Sequence, residues 1–293
     1  MMKIIQSVKE MQAYSRHMGR TGKNISFVPT MGYLHEGHLH LLREGKKRGD
    51  CLVLSIYVNP TQFGVGEDFE KYPRDLNKDS QMAASADVDV VFCPESSEIY
   101  PEDYQTYVHV EKVTQNLCGQ TREGHFRGVA TVCCKLFNIV KPQVAIFGKK
   151  DYQQLVVIRR MVQDLNLDLE IVGLPTVREA DGLAMSSRNT YLQDTEREAA
   201  LSLSHSLLLA KILYDKGERN ADTILQAVRD CLSKSPLVHL EYAKICYVAT
   251  LQDTEELEEE SVLALAVRVG RTRLIDNYVF GEILEIAQRK NTE

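Results

Sequence analysis

No stretch of this 293-residue chain approaches the roughly 20 consecutive apolar residues that a helix needs to span a bilayer. Lys3, Lys9, Glu10 and Arg16 interrupt the N-terminus where a signal peptide carries its apolar region, so the expected location is the cytoplasm, with no membrane partner. Positive charge is in deficit: 35 Lys and Arg stand against 41 Asp and Glu, a net charge of −6. A dedicated nucleic-acid surface needs the opposite excess on one face, so any anionic ligand should be small and locally bound. The seven cysteines, at 51, 93, 118, 133, 134, 231 and 246, are odd in number and never spaced as Cys-x-x-Cys. That speaks against both a zinc ribbon and a disulfide framework and leaves reduced, structural thiols, with Cys133 and Cys134 as small fillers on a helix. There is no G-x-x-x-x-G-K-[ST] phosphate loop, and Gly64-Val65-Gly66 lacks the third glycine of the dinucleotide fingerprint. A nucleotide would have to be held by another device. Repeats and low-complexity tracts are also missing.

What is there is a soluble globular composition, 44% hydrophobic and 26% charged, long enough for one large domain or, more in keeping with usual domain sizes, two. Residues 3 to 18 space their apolar positions as an amphipathic helix, and 24 to 28 supply a buried strand. A helix over 36 to 48 leads to the continuous apolar run 51 to 58, which fits a parallel strand covered on both faces. After a polar loop at 64 to 73 come a helix near 75 to 86, a strand at 88 to 93, a short strand at 106 to 110 and a helix from 128 to 140 stopped by Pro142. A strand at 144 to 147, a helix at 152 to 165 and a strand at 169 to 172 complete the alternation. The pattern predicts an α/β fold, a doubly wound Rossmann-like parallel sheet, over residues 1 to 176. From 177 to 293 a loop at 179 to 189, helices near 194 to 216 and 220 to 234, and strands at 240 to 250, 262 to 269 and 273 to 280 predict a smaller C-terminal α+β domain. The acidic run 253 to 260 reads as a solvated connection.

The stretch with most chemistry is Phe27 to His38, an apolar run, a turn, and two histidines three residues apart. If the run is a strand and His38 opens a helix, His35 and His38 sit where free backbone N–H groups and the helix dipole favour an anion such as phosphate. Taken alone, the pair is also compatible with surface residues, with helix-end hydrogen bonders or, through His40, with a metal site. Gly148-Lys149-Lys150-Asp151 follows a predicted strand and opens a helix, so its amides and Lys150 are candidate phosphate holders. Met185-Ser186-Ser187-Arg188 offers two hydroxyls and a guanidinium in a loop with Gly182 nearby, a mobile donor cluster suited to a triphosphate, although an ordinary solvated loop has the same composition. Gln62 and Gln154, uncharged amides near strand ends, are together candidates to grip a hydroxy acid, while either taken singly reads more simply as a surface residue.

His35-Glu36-Gly37-His38 resembles the His-x-Gly-His signature of the nucleotidyl-transferring α/β superfamily, and Met185-Ser186-Ser187-Arg188 resembles its second signature. Joined with Pro29-Thr30-Met31-Gly32, Val58-Asn59-Pro60-Thr61-Gln62-Phe63, Tyr72-Pro73-Arg74, the block from Gly124 to Val129, the block from Phe147 to Gln154 and the block from Arg178 to Asn189, they make the chain similar to the pantoate:β-alanine ligase family from about residue 3 to 283. That resemblance implies an ATP-dependent ligation. Pantoate attacks the α-phosphate to give pantoyl adenylate and pyrophosphate, and β-alanine then displaces AMP.

Carried over by position, the resemblance implies an ATP site of Met31, Gly32, Tyr33, Leu34, His35, Glu36, Gly37 and His38, with Gly148, Lys149, Lys150, Asp151, Val177, Met185, Ser186, Ser187 and Arg188. The catalytic set is His38, His35, Lys150, Ser187 and Arg188, with His38 the proton donor. Gln62 and Gln154 would hold pantoate, and Gln62 and Tyr72 would lie by β-alanine, helped by Arg122 and His125. Mg²⁺ is expected with ATP. Some relatives place two carboxylates where this chain has Lys78-Asp79, which leaves Asp79 as the only candidate protein ligand. A homodimer and a C-terminal domain that closes over the reactive intermediate are implied in the same way. Two other classes stay in view: a nucleotidyltransferase serving a phosphate-bearing acceptor, and a catalytically silent dimer or metal-binding protein on the same fold.

Overall fold

The computed structural model describes residues 2–284 and 286. Its elements run β1 (Lys3–Ile5), α1 (Val8–Arg20), β2 (Ile25–Thr30), α2 (Glu36–Lys46), β3 (Cys51–Ile56), α3 (Leu76–Ser85), β4 (Val90–Phe92), α4 (Ser96–Ile99), α5 (Cys118–Thr121), α6 (His125–Val140), β5 (Val144–Gly148), α7 (Tyr152–Asp164), β6 (Glu170–Leu174), α8 (Asp194–Asp215), α9 (Ala221–Leu232), β7 (Val238–Tyr247), β8 (Ser261–Val269) and β9 (Thr272–Val279). They fall into two compact units. The first runs from the N-terminus to Glu111 and adds Arg122–Lys149 and Val157–Pro175; the second comprises Lys112–Thr121, Lys150–Val156 and the chain from Thr176 onward. A single cut at residue 176 is thus joined by two short earlier segments that pack with the later part of the chain, and one of them carries Lys150.

In the first unit six strands form a parallel sheet in the order β1-β4-β3-β2-β5-β6. Alternate residues of each strand face opposite sides, and both sides are apolar. Val28, Leu52, Leu54, Val91 and Ile146 pack with Leu39 and Leu42 of α2 and Ala83 of α3. On the other side Phe137 of α6 meets Phe27 and Phe147 edge to face, each at 6.4 Å between ring centroids. Burying each such side chain contributes about 1.5–3 kcal/mol, which makes the sheet a rigid mount for its loops. The sheet therefore is doubly wound as the alternation predicts.

From β2 the chain steps outward through β3 to β4, then returns to place β5 on the other side of β2. The reversal between β2 and β5 is the point at which open parallel sheets bind ligands, beyond the carboxyl ends of the strands.

Two local expectations fail. Lys3, Ile4 and Ile5 are not the start of a helix but an edge strand paired with Val90, Val91 and Phe92, and α1 begins only after Ser7. The apolar spacing runs helically through this segment, yet pairing with β4 buries Ile5 and wins over local periodicity. Residues 106 to 110 form no strand; the Val108 N–H donates to Thr131 Oγ1 of α6 at 2.9 Å and the Tyr107 ring lies under the Arg127 guanidinium. The Val108 N–H is thus satisfied by a helix face rather than by a neighbouring strand.

The second unit contains the antiparallel sheet β7-β8-β9 with α8 and α9. Leu203, Leu207, Ile224, Leu263, Leu265 and Val267 form its fully covered core. The acidic residues of the run 253 to 260 are all exposed, as a solvated connection predicts, and Asp253 is also tied to Asn116 Nδ2 at 2.6 Å and Lys244 Nζ at 3.0 Å. All seven cysteines are free thiols, five of them buried. Burial pushes the Cys133 thiol up to about 12, which keeps it an inert filler. Among the described residues no helix is long and apolar enough to cross a membrane.

Candidate active site

In the first unit the site is built on the turn that joins β2 to α2. Thr30, the last residue of β2, donates its hydroxyl to Ser55 O at 2.8 Å and accepts the Gly32 N–H at 3.1 Å. Gly32 has φ +80, and an added Cβ would lie 2.8 Å from Asp79 Oδ2 and 2.9 Å from Ile56 Cγ2. Only glycine fits there. Tyr33 follows at φ 51, a left-handed conformation costing of order 1–3 kcal/mol for a residue with a side chain. The turn holds because Asp79 of α3 accepts the Tyr33 N–H at 2.8 Å on one oxygen and the Leu34 N–H at 2.7 Å on the other.

Asp79 is 1% exposed, and burial pushes its carboxyl above the usual range against the pull of those two amides. Each of its oxygens accepts one amide of the turn, so the carboxylate acts here as a clamp. Among the described residues there is no group of three or more His, Cys, Asp or Glu that could hold a metal ion.

His35, extended, is the residue before α2, and its N–H donates to His38 Nδ1 at 3.3 Å. A neutral His38 ring therefore carries its proton on Nε2, which makes that nitrogen the donor. The two imidazoles lie 4.0 Å apart at the positive end of the helix dipole. Beside them, at the end of the neighbouring strand β5, come Gly148 and Lys149, and a Cβ on Gly148 would meet nothing within 4 Å. The backbone there is open to a ligand.

On the other side of β2, a short turn over Pro60–Gln62 follows β3. Asn59 caps it, accepts from the Thr61 N–H, and donates to both Gln62 Oε1 at 3.1 Å and Gly128 O at 3.2 Å. Gly128 is required by closeness, because a Cβ would stand 2.3 Å from Thr61 O. Gln62 is 9% exposed, with its Nε2 against Met31 Sδ at 3.2 Å, which ties it to the histidine turn. Its backbone carbonyl receives His125 Nδ1 at 2.8 Å, while His125 Nε2 faces Arg122 Nη1 at 2.9 Å. Arg122 is in turn gripped by Glu67 through two bonds of 2.7 and 2.6 Å. Arg122 and His125 thus brace Gln62 from behind. Tyr72 is buried with its ring on Phe63 at 6.0 Å.

Despite burial, the Arg122 guanidinium brings the Glu67 carboxyl down to about 2 from an ordinary 4.5. Folding lowers this pKa, so the pair's contribution is complete above pH 4.5 and is lost as pH falls through about 2. We expect Glu67→Gln to cost about 1.5–3 kcal/mol at neutral pH and the gap to wild type to close between those two values. Urea midpoints recorded at several pH values measure it.

The second unit carries the other expected donors. Lys150 is half-buried, its ammonium has no ion-pair partner among the described residues, and its carbonyl accepts Asn277 Nδ2 at 2.8 Å. Asp151 is exposed. Gln154 makes no side-chain hydrogen bond among the described residues, whereas its neighbour Gln153 is buried and fastens residues 113 to 118 through Cys118 N, Val113 O and Asn116 O.

Val177 O accepts the Met185 N–H at 3.0 Å at the open end of a hairpin in which Arg178 pairs with Ala184. Ser186 Oγ then accepts the Arg188 N–H and caps the turn Ser187–Tyr191. The residues that flank this loop make several ties. Asn189 donates to Glu179 and Ala184 O, Arg197 holds Glu179 and Asp181, and Arg178 makes a buried ion pair with Asp276.

A family model described as pantoate-beta-alanine ligase matches residues 3–279. The chain belongs to the pantoate-β-alanine ligase family. It is 65% identical over 285 residues to the pantothenate synthetase of Syntrophus aciditrophicus (strain SB), an alignment covering 97% of this chain and 100% of that protein. A crystal structure of pantothenate synthetase from Thermus thermophilus superposes with a TM-score of 0.90 at 42% identity, covering 95% of this chain and 99% of that one. The crystal structure of the pantoate-β-alanine ligase from Francisella tularensis, complexed with β,γ ATP and β-alanine, gives a TM-score of 0.81 at 32% identity, covering 97% and 100%. The chain is therefore a ligase with the fold of the pantothenate synthetases.

In this pantoate-β-alanine ligase the residues Met31 to His38, Gln62, Gly148 and Lys149 gather at the carboxyl ends of the adjacent strands β3, β2 and β5. Lys150, Asp151, Gln154, Val177 and Met185 to Arg188 belong to the second unit. No local pattern in the sequence marks the supports: Asp79 as a clamp, Glu67 behind Arg122, Gln153, and the pair Asp276 and Asn277. Arg178 and Asn189 bound a motif block of the resemblance, which was the one signal available for the hairpin.

Proposed function

We infer that this ligase condenses pantoate with β-alanine at the expense of ATP, by way of pantoyl adenylate. The observation that carries the reading is the histidine turn at the sheet's reversal point, where His35 and His38 stand side by side at the N-terminus of α2. In the first step a pantoate carboxylate oxygen attacks the α-phosphorus, the bond to the bridging oxygen breaks, and pyrophosphate leaves. Charge builds on the phosphate oxygens, so preplaced donors are what the step needs.

The reading assigns that role to His38 Nε2–H, His35, Lys150, Ser187 and Arg188, with Met31 to His38, Gly148 to Asp151, Val177 and Met185 to Ser186 around the nucleotide. Gln62 and Gln154 hold pantoate by neutral amides, which suits a hydroxy acid that must keep its carboxylate reactive. In the second step the β-alanine nitrogen attacks the acyl carbon and AMP departs, near Gln62 and Tyr72. That amine must be neutral, and we expect the second half-reaction to accelerate as pH rises from 6 toward 10; stopped-flow with preformed adenylate measures the slope. Magnesium travels with the triphosphate in this reading, and no step is routed through a protein-bound ion. A cytoplasmic homodimer completes the proposal, checked by sedimentation.

The deciding experiment omits β-alanine. Protein, ATP, magnesium and pantoate should yield pyrophosphate and enzyme-bound pantoyl adenylate in equal amounts. Pyrophosphate without a need for pantoate would favour a nucleotidyltransferase, and release of ADP would overturn the adenylate route.

A further inference from the structure

Asp276 and Asn277 are consecutive on β9 and almost fully covered, 2% and 8% exposed. Buried polar side chains at the edge of a small sheet need partners, and the partners here are unusual. Asp276 takes both guanidinium nitrogens of Arg178 at 2.7 and 3.0 Å. Arg178 opens the hairpin that leads to Ser186, Ser187 and Arg188, and its Nη1 also donates to Gly182 O at 3.2 Å. Asn277 Nδ2 donates to Lys150 O at 2.8 Å, across 127 positions of sequence. Asp276 Oδ1 accepts the Asn277 N–H at 2.8 Å, so the two residues are locked to one another.

Two segments assigned to the triphosphate, one bearing Lys150 and the other the serine turn, are thus fastened to neighbouring residues of a single strand. This also accounts for Lys150 packing with the second unit although it lies just beyond a strand of the first. We propose that Asp276 and Asn277 are positioning residues that set Lys150 and the Ser186–Arg188 turn at a fixed spacing, so that both meet the phosphates as one preformed group. The proposal rests on the ATP reading above. Preforming matters because donors held in place before binding lose no freedom when the ligand arrives.

The test uses the full-length protein and the nearly isosteric variant Asn277→Asp, which replaces the donor to Lys150 O with an acceptor. Loss of an outer partner that orients a gripping group typically costs about 10–100-fold. Affinity for a non-hydrolysable ATP analogue should therefore fall at least about tenfold, while pantoate affinity stays at the wild-type value. The same change made on a Lys150→Ala background should add nothing, because Asn277 acts through Lys150. Unchanged analogue affinity, or an equal loss on both backgrounds, would overturn the proposal. Should Asn277→Asp fail to fold, Asn277→Ala carries the same two-background comparison. A wild-type enzyme that makes no pyrophosphate from pantoate would sink the adenylate reading, whereas the affinity comparison judges the positioning role separately.

Discussion

Lys150→Ala should reduce pantoate-dependent pyrophosphate release by about 1000-fold or more, the upper end of what removing one preplaced charge donor costs. The fold should survive. The ammonium has no ion-pair partner among the described residues, and the tie to Asn277 runs through the Lys150 backbone carbonyl, which alanine keeps. Rapid-quench measurement of pyrophosphate, with thermal unfolding as the control, separates the two effects. Turnover near the wild-type rate would mean that the phosphates lie elsewhere.

Asp79→Asn should have the second largest effect, and it discriminates a clamp from a metal ligand. An amide can accept through only one atom, so one of the Tyr33 and Leu34 N–H groups would face an NH₂ donor. Losing one buried hydrogen bond to a charged acceptor costs about 1.5–3 kcal/mol. That loss falls on a turn already strained at Tyr33 and closed in at Gly32, so part of it should appear as a displaced His38. We expect roughly a 10- to 100-fold slower first half-reaction, by the cost usual for a lost orienting partner, with the magnesium concentration for half-maximal rate unchanged. A large rise in the magnesium requirement would mark Asp79 as a ligand.

Much of the layout was readable along the chain because it depends on short-range physics. The apolar run 51 to 58 had the length and evenness of a buried strand, and β3 is one. His35 and His38 were predicted at a helix start from spacing alone, and α2 begins at Glu36. Where local pattern competed with distant pairing it lost: Lys3 to Ile5 read as a helix but pairs with β4, and 106 to 110 read as a strand but hands its backbone to Thr131. Asp79 was legible as a lone carboxylate, yet its partners lie 45 and 46 residues away, and nothing near it announces them.

The order of residues by itself determined the alternation of strands and helices, the two histidines at a helix start and the membership of a ligase family, since the first two follow from local periodicity and the third from an ordered set of short motifs along the chain. Tertiary structure alone decided that Asp79 clamps the Tyr33 and Leu34 amides, that Gln62 is braced by Arg122 and His125, and that Lys150 hangs from Asn277. Those bonds join groups far apart in sequence, and a hydrogen bond has no direction or partner until the backbone that carries it has been folded into place.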